Sequence, residues 1–595
     1  MNIKAKGSIS DKTVEENKYA TAIRERQEYE KAVLNSSSNK NIVVAGPGTG
    51  KTYLFESILK GKSDTLTLTF VNALVEDLSL AFCGLSDVKT LHGFALGIMN
   101  EATQEDIDVF PKLSKVIKED ARILLDEGID FDQLFQNKVD EGKYIEFYRK
   151  RKDYYGRYGF SDIVFAAVRW LEEHRDKIPK FNQVLVDEFQ DFNTLEVTLI
   201  DLLAEKSPIL LTGDDDQALY EFKSASPEHI RQRYNEKTSG YAKFCLPYCS
   251  RCTRVIVEAT NDIIANATQD GYLGGRINKP FRYFDDKDKD RVSEKNPQLI
   301  YSQLYAGQIP WFIQKQIEEI AKKERRKFTV LIICPTNIQC RDVVDALKNK
   351  GFKSVQVIEK KDTKETTLLD GLKLLLKEKD CNLGWRIVAK KLLKATDFDT
   401  LLKETDKDDA KRFSELIKAD EKKEVNKMLT TLRAVRDKKQ MEDKTEDEDE
   451  TKDENETEQE NKTEDKDKTG IAELLKKVGV DAYGIARDYL KDEIKPYDPK
   501  ARKQSFCKPE VRKIPITTTT IERSKGLDAD YVFITYFDDR YFIKDEDKSK
   551  VSDQDICKFI VALTRTKKKV FLISSDTNKK PIFLKWIDDT RILAV

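Results

Sequence analysis

The chain has 595 residues, 35% of them charged, and a formal net charge of −1. That length exceeds what one core fills, so two to four domains are expected. No apolar run approaches the ~18 residues of a membrane span and the polar N-terminus has no apolar segment of the secretory kind, which argues against membrane and secreted classes and for a cytoplasmic chain, nucleoid-associated or, in a eukaryote, nuclear.

In chain order, the first strong signal is at 41–52. Ile42-Val43-Val44 reads as a buried strand, Ala45 to Gly50 as a glycine-rich turn, and Lys51-Thr52 as the opening of a helix. Gly46, Gly48 and Gly50 let backbone N–H groups curl around phosphates at a helix N-terminus. In such a P-loop Lys51 reaches the β- and γ-phosphates and the Thr52 hydroxyl holds Mg²⁺, so ATP and Mg²⁺ are the expected ligands. A second short apolar run occupies 65–70. At 183–191 the strand Val184-Leu185-Val186 ends in Asp187-Glu188, with Asp187 placed to hold the metal and Glu188 to act as general base toward water. Further runs fall at 208–217, 328–337, 530–537 and 568–575. Short Val/Ile/Leu runs separated by helical stretches predict an α/β fold with two parallel sheets covered on both faces.

Two segments stand apart. Cys245, Cys249 and Cys252 leave two readings open, a zinc or iron–sulfur site or small buried residues beside a strand; no second pair follows nearby, and only three histidines exist. Nine cysteines without a regular framework fit a reducing compartment. Residues 441–468 hold 15 acidic side chains against five lysines, so the rest of the chain carries a formal +9. Such a tether is expected to stay disordered, as a passive spacer or as a means of repelling nucleic acid or binding a basic partner. The mildly basic body is compatible with nucleic acid.

The acidic pair continues as Asp187-Glu188-Phe189-Gln190-Asp191, and Gly213-Asp214-Asp215-Asp216-Gln217-Ala218-Leu219-Tyr220 follows. These resemble motifs II and III of the UvrD/Rep/PcrA group of superfamily 1 helicases. Other blocks resemble the family's motifs in the family's order. Arg26-Gln27 is similar to the Q motif, Thr69 to Ala73 to motif Ia, and Thr90 to Phe94 to motif Ib. Cys249-Ser250-Arg251-Cys252 stands at motif IV, Thr520 to Asp528 resembles motif V, and Val561 to Thr566 motif VI.

The resemblance implies two RecA-like P-loop NTPase domains, each a parallel sheet flanked by helices, with helical inserted subdomains. Residues 1–102 would be the first part of domain 1A, 103–174 the helical insertion 1B, and 175–245 the second part of 1A. Residues 246–385 would begin domain 2A, 386–504 would form a reduced 2B-like insertion containing the tether, and 505–595 would complete 2A. With Val595 soon after motif VI, no fused nuclease is expected, and a nuclease or repair protein would be a separately encoded partner.

The roles implied are these. Gln27 reads adenine, and Gly46, Gly48, Gly50, Lys51, Thr52 and Asp528 bind the nucleotide. Thr52 and Asp187 hold Mg²⁺. Lys51, Glu188, Gln217, Arg251 and Arg565 carry hydrolysis, Gln217 sensing the γ-phosphate, Arg251 touching it and Arg565 serving as arginine finger. Phe70, Asn72, His92, Tyr220, Phe222 and Thr520 form the nucleic-acid track, with aromatic faces for bases. The chain departs from the family at Ser250, where a tyrosine stacks on adenine; Tyr248, two residues away, is an open substitute. It departs also at Glu522 for histidine and at Phe222-Lys223 for Trp-Arg. The implied activity is an ATP-dependent 3′-to-5′ translocase or helicase on single-stranded DNA, with RNA left open. The alternative is an ATP-dependent loader or switch with little unwinding.

Overall fold

The apolar runs become strands of two separate parallel sheets in the computed structural model, which describes residues 9–69, 78, 79, 81–219, 225–358, 365–449, 511–548 and 550–595. The first sheet contains β1 (Lys40–Ala45), β2 (Thr65–Thr69), β3 (Asp87–Thr90), β4 (Gln183–Val186), β5 (Ile209–Gly213) and β6 (Ala242–Leu246), in the order β3-β2-β4-β5-β1-β6. Alternation sends Val43, Ala45, Leu185 and Leu210 to one face, and Ile42, Val44, Val184, Val186 and Leu211 to the other. Both faces are buried, as helical crossovers between parallel strands require.

Two short strands, β7 (Tyr248–Cys249) and β8 (Arg282–Tyr283), pair with each other beside the cleft. The second sheet has β9 (Leu299–Gln303), β10 (Val330–Cys334), β11 (Val355–Val357), β12 (Ile516–Thr520), β13 (Ala529–Thr535), β14 (Thr566–Ser574) and β15 (Ile592–Ala594), ordered β11-β12-β10-β13-β14-β9-β15. Leu331, Ile333, Val532 and Leu572 serve one core, while Ile332, Phe533 and Phe571 serve the other. Phe533 and Phe571 stack on neighbouring strands with centroids 4.5 Å apart.

The apolar runs mark β1, β2, β4, β5, β10, β13 and β14; among the strands they leave unmarked, β3, whose DVKT sequence is partly exposed, and β15, whose residues are also partly exposed, lie at sheet edges. Edge strands bury one side at most and so carry little periodic signal.

The helices of the first insertion, Leu113–Leu124, Phe131–Gln136, Lys143–Tyr155 and Phe160–Glu173, close over aromatic residues such as Tyr148, which is 1% exposed. A second helical unit emerges after β11 and comprises Leu368–Lys377, Asn382–Leu392, Ala395–Lys407, Phe413–Leu416 and Ala419–Asp449. It begins at Leu368, inside the stretch expected to belong to the second sheet's body, because Leu372 and Leu375 bury with Leu383 and Ile387. Its last helix runs to Asp449, into the acidic segment expected to be disordered from 441; the remainder of that segment lies outside the described residues.

This unit shares one core with the first insertion: Val116 and Tyr155 bury in the same cluster as Leu383, Phe398 and Leu402. At its centre Asp120 accepts from Arg151 Nε at 3.2 Å and from Arg386 Nη2 at 2.6 Å, and Arg386 also meets Glu119 at 3.1 Å. Asp120 and Arg386 are each 0% exposed. Removing one partner of a buried pair strands charge in a poor solvent. Arg386→Ala should therefore destabilise the two-insertion unit by about 3–5 kcal/mol. A lowered urea midpoint, read from the fluorescence of buried Trp385, checks this; an unchanged midpoint refutes it.

Candidate active site

The P-loop follows β1 at the centre of the first sheet, and the helix Lys51–Leu59 begins directly after it. Gly48 (φ 69°) and Gly50 (φ 97°) take left-handed backbone that other residues resist. Gly48 also has no room for a side chain: a Cβ there would overlap Cβ of Arg251. The smallest residue thus allows the second body to touch the P-loop. Ser250 N–H donates to the Gly48 carbonyl at 2.9 Å, and the Ser250 hydroxyl does so at 3.1 Å.

The cleft at this contact has a volume of about 560 Å³. Gly46, Gly48, Gly50, Lys51 and Thr52 line it from one side, and Arg251, Lys289, Asp528, Lys567 and Lys568 from the other. Arg251 Nε pairs with Asp528 at 3.3 Å, and Lys567 pairs with the same carboxylate at 2.5 Å.

Beneath the P-loop, Lys51 Nζ meets Glu188 at 2.7 Å and Asp187 at 3.6 Å. Burial disfavours the Lys51 charge, but Glu188 and Asp187 outweigh it and raise its pKa. Burial alone would raise Glu188; Lys51 and Lys525 reverse this and hold its carboxyl well below the usual range. Asp187 moves the other way, raised by burial with Glu188 beside it. It accepts from Thr212 at 2.9 Å and from the Glu188 N–H at 2.9 Å. Glu188 itself has φ 55°, a left-handed conformation costing ~1–3 kcal/mol in a residue with a side chain. Its second oxygen accepts from Gln190 at 2.7 Å, and Gln190 in turn accepts from Asp214 N–H at 2.9 Å.

The second body enters through Lys525 and Arg565. Lys525 is buried against Asp191, 3.3 Å from Glu188, and donates to the Gln217 carbonyl at 3.0 Å. Arg565 Nη2 donates to Gln217 Oε1 at 3.0 Å, while Gln217 Nε2 donates to Asp214 at 2.6 Å. Burial, with Arg251 nearby, lowers the Arg565 guanidinium to about 10, so it remains charged at neutral pH. Lys51, Glu188, Gln217 and Arg565 thus form one connected polar network across the two bodies.

Other sequence candidates are placed differently. Gln27 is exposed and is not among the cleft-lining residues. Arg26 reaches the P-loop instead: a Cβ on Gly50 would lie 2.7 Å from its Nη2, and its guanidinium sits 5.2 Å from the Phe284 ring. Tyr248 is 6% exposed, donates its hydroxyl to Glu25 and stands edge-on to Tyr29. Of the Arg26-Gln27 pair it is thus Arg26 that approaches the P-loop, packed against Phe284, an aromatic residue that no sequence motif announced. His92 opens the helix after β3, with its ring 5.0 Å from Phe160, and Thr520 closes β12. Phe70, Asn72, Tyr220 and Phe222 lie outside the described residues.

Asp214, Asp215 and Asp216 form the one metal-like group of acids among the described residues. Lys279 already fills it, 2.8 Å from Asp214 and 2.9 Å from Asp216 and touching Asp215, with Arg276 on Asp216 and Arg231 on Asp215. Among the described residues, Cys245, Cys249 and Cys252 do not assemble with further ligands into such a group. The latter two are buried.

Two family models match the chain: the UvrD/REP helicase N-terminal domain over residues 131–238 and the UvrD-like helicase C-terminal domain over residues 248–577. Among curated proteins, the chain is similar to DNA helicase II of Escherichia coli, 31% identical over 164 residues (26% of this chain and 22% of that protein). It is 23% identical over 399 residues to the probable DNA helicase II homolog of Mycoplasma pneumoniae, covering 54% of each. An ATP-dependent helicase/nuclease subunit of Streptococcus pneumoniae matches at 30% over 131 residues, 20% of this chain and 10% of that one. The matches thus span about half the length of these relatives at most.

Proposed function

The chain belongs to the UvrD-like helicase family, and we propose that it is an ATP-driven motor moving 3′-to-5′ on single-stranded DNA. The observation that carries this reading is the convergence of Lys51, Glu188 and Gln217 from the first body with Arg251, Lys525 and Arg565 from the second.

Lys51 exchanges Glu188 for the β- and γ-phosphates when ATP enters, which frees a Glu188 oxygen to take a proton from the attacking water. Arg251 and Arg565 place positive charge where the transferring phosphoryl group gathers negative charge. The Thr52 hydroxyl and the Asp187 carboxylate are oxygen donors of the kind Mg²⁺ takes, and Asp187 stands 3.6 Å from Lys51 at the P-loop. When bound, the ion neutralises charge on the phosphates. Because the guanidiniums and the P-loop belong to different bodies, turnover is tied to cleft closure, and closure and opening move the strand. Of the track candidates among the described residues, His92 follows the C-terminal end of β3 and Thr520 closes β12, the edge where open parallel sheets bind ligands.

A second reading, an ATP-dependent loader or switch with little unwinding, draws on one feature: the second insertion is seated in the core of the first rather than standing free. No described helix is long and apolar enough to cross a membrane. The name of the helicase/nuclease relative makes a separately encoded nuclease a partner to seek.

Steady-state ATPase activity with single-stranded DNA, single-stranded RNA and duplex tests the main reading. Turnover should rise several-fold with single-stranded DNA alone. Stimulation without strand displacement favours the loader; no stimulation by any nucleic acid overturns the motor.

A further inference from the structure

Cys249 ends β7, and Cys252 stands two residues before the helix Arg254–Gln269. Both are 0% exposed. The Cys252 N–H donates to Cys249 Sγ at 3.4 Å. Cys252 Sγ donates on to the Thr564 carbonyl at 3.6 Å, next to Arg565. The two residues between the cysteines, Ser250 and Arg251, form part of the cleft wall against Gly48.

We propose that Cys249 and Cys252 form a reversible dithiol–disulfide modification site under the ATP cleft, oxidised by a hydroperoxide and restored by a small dithiol. A Cys-x-x-Cys turn before a helix, closed by the N–H of one cysteine on the sulfur of the other, is an arrangement in which one sulfur attacks and the other resolves. Burial opposes ionisation of Cys249, but the Cys252 thiol, Lys289 and the N–H groups of Cys252 and Arg251 outweigh it and bring the thiol down to about 6. Cys252 is pushed well up, which keeps it protonated as the resolving thiol.

Cys249 thiolate attacks one oxygen of hydrogen peroxide. The O–O bond breaks, and hydroxide leaves and is protonated to water, giving a sulfenic acid. The Cys252 sulfur then attacks Cys249 sulfur, the S–O bond breaks, and the Cys252 proton leaves with the hydroxide as a second water. Two thiols have lost two electrons and peroxide has gained them. Bonding draws the Cys252 sulfur off the Thr564 carbonyl toward Cys249 and moves Ser250 and Arg251, which have no slack against Gly48. A misplacement of ~1 Å near reacting groups costs about a hundredfold in rate, and a fall of that order is expected.

The effect on turnover rests on the ATPase reading; the modification itself does not. The full chain is treated with hydrogen peroxide, alkylated and digested with trypsin, which cuts after Arg251. The expected result is a linked pair of peptides that dithiothreitol separates, with turnover lost and regained in step. Cys252→Ser should keep its turnover through the same treatment, and Cys249→Ser should form no linked pair. Alkylation of both cysteines after oxidation, while exposed Cys83 is consumed, would overturn the site. Linked peptides with unchanged turnover would overturn its control of the cleft, whatever the serine variants do.

Discussion

Arg565→Ala should leave ATP affinity within a few-fold of the parent chain and lower turnover by about 10³–10⁵-fold. The asymmetry follows from where the guanidinium sits. It is absent from the cleft wall and binds Gln217 Oε1 at 3.0 Å and the Val561 carbonyl at 3.0 Å. On the proposed reading the P-loop and Arg251 hold the ground-state nucleotide without it. Charge supplied only as the cleft tightens stabilises the transition state and not the bound substrate. Among the described residues no carboxylate is paired with Arg565, and burial, with Arg251 nearby, presses its pKa down, which suits a cation that meets its anion only when the nucleotide is bound. Equilibrium binding of a fluorescent ATP analogue, beside single-turnover hydrolysis, separates the two terms. Equal loss of both would make Arg565 a structural residue, and Arg565→Lys should recover little, since a point charge does not copy the guanidinium fork.

Glu188→Gln should keep the fold and ATP binding and reduce hydrolysis by about 10²–10⁴-fold, the usual contribution of a general base. The amide is isosteric but takes no proton from water. Two lysines hold the native carboxyl well below its usual range before ATP enters, and Lys525, 3.3 Å away, is the one that remains when Lys51 turns to the phosphates, so protonation of this group should cost activity only in the acid range. The variant should accumulate ATP-bound enzyme and hold single-stranded DNA without cycling. Retention of near-parent turnover would remove Glu188 from the chemistry and leave Lys51–Glu188 as a structural pair.

The two variants probe parts that were not equally legible. The P-loop and the acidic pair are contiguous motifs at strand ends, and the backbone that shapes them is encoded within a dozen residues. The strand runs were legible for a similar reason, because parallel strands buried on both faces must be apolar throughout. Gln27 and Arg26 mark the limit. They are neighbours on one helix, where successive side chains diverge widely around the axis. Which one reaches Gly50 depends on how the helix is rotated against the sheet, and that rotation belongs to packing. Tyr248 was open for the same reason: its ring turned inward to Glu25 and Tyr29, while Phe284, which no motif flagged, came to lie beside Arg26.

By itself, then, the sequence determined the parallel α/β strands, the phosphate turn and the order of the motif blocks, because local periodicity and glycine placement specify an element and its exposed end. Tertiary structure alone decided the partners. Lys525 with Asp191, Lys279 with Asp214 and Asp216, and Arg386 with Asp120 join residues far apart in the chain. An apolar stripe or a lone charge says that a residue must be covered or paired, but its complement is chosen by three-dimensional packing. For the same reason the two insertions, separate in sequence, came to share one core.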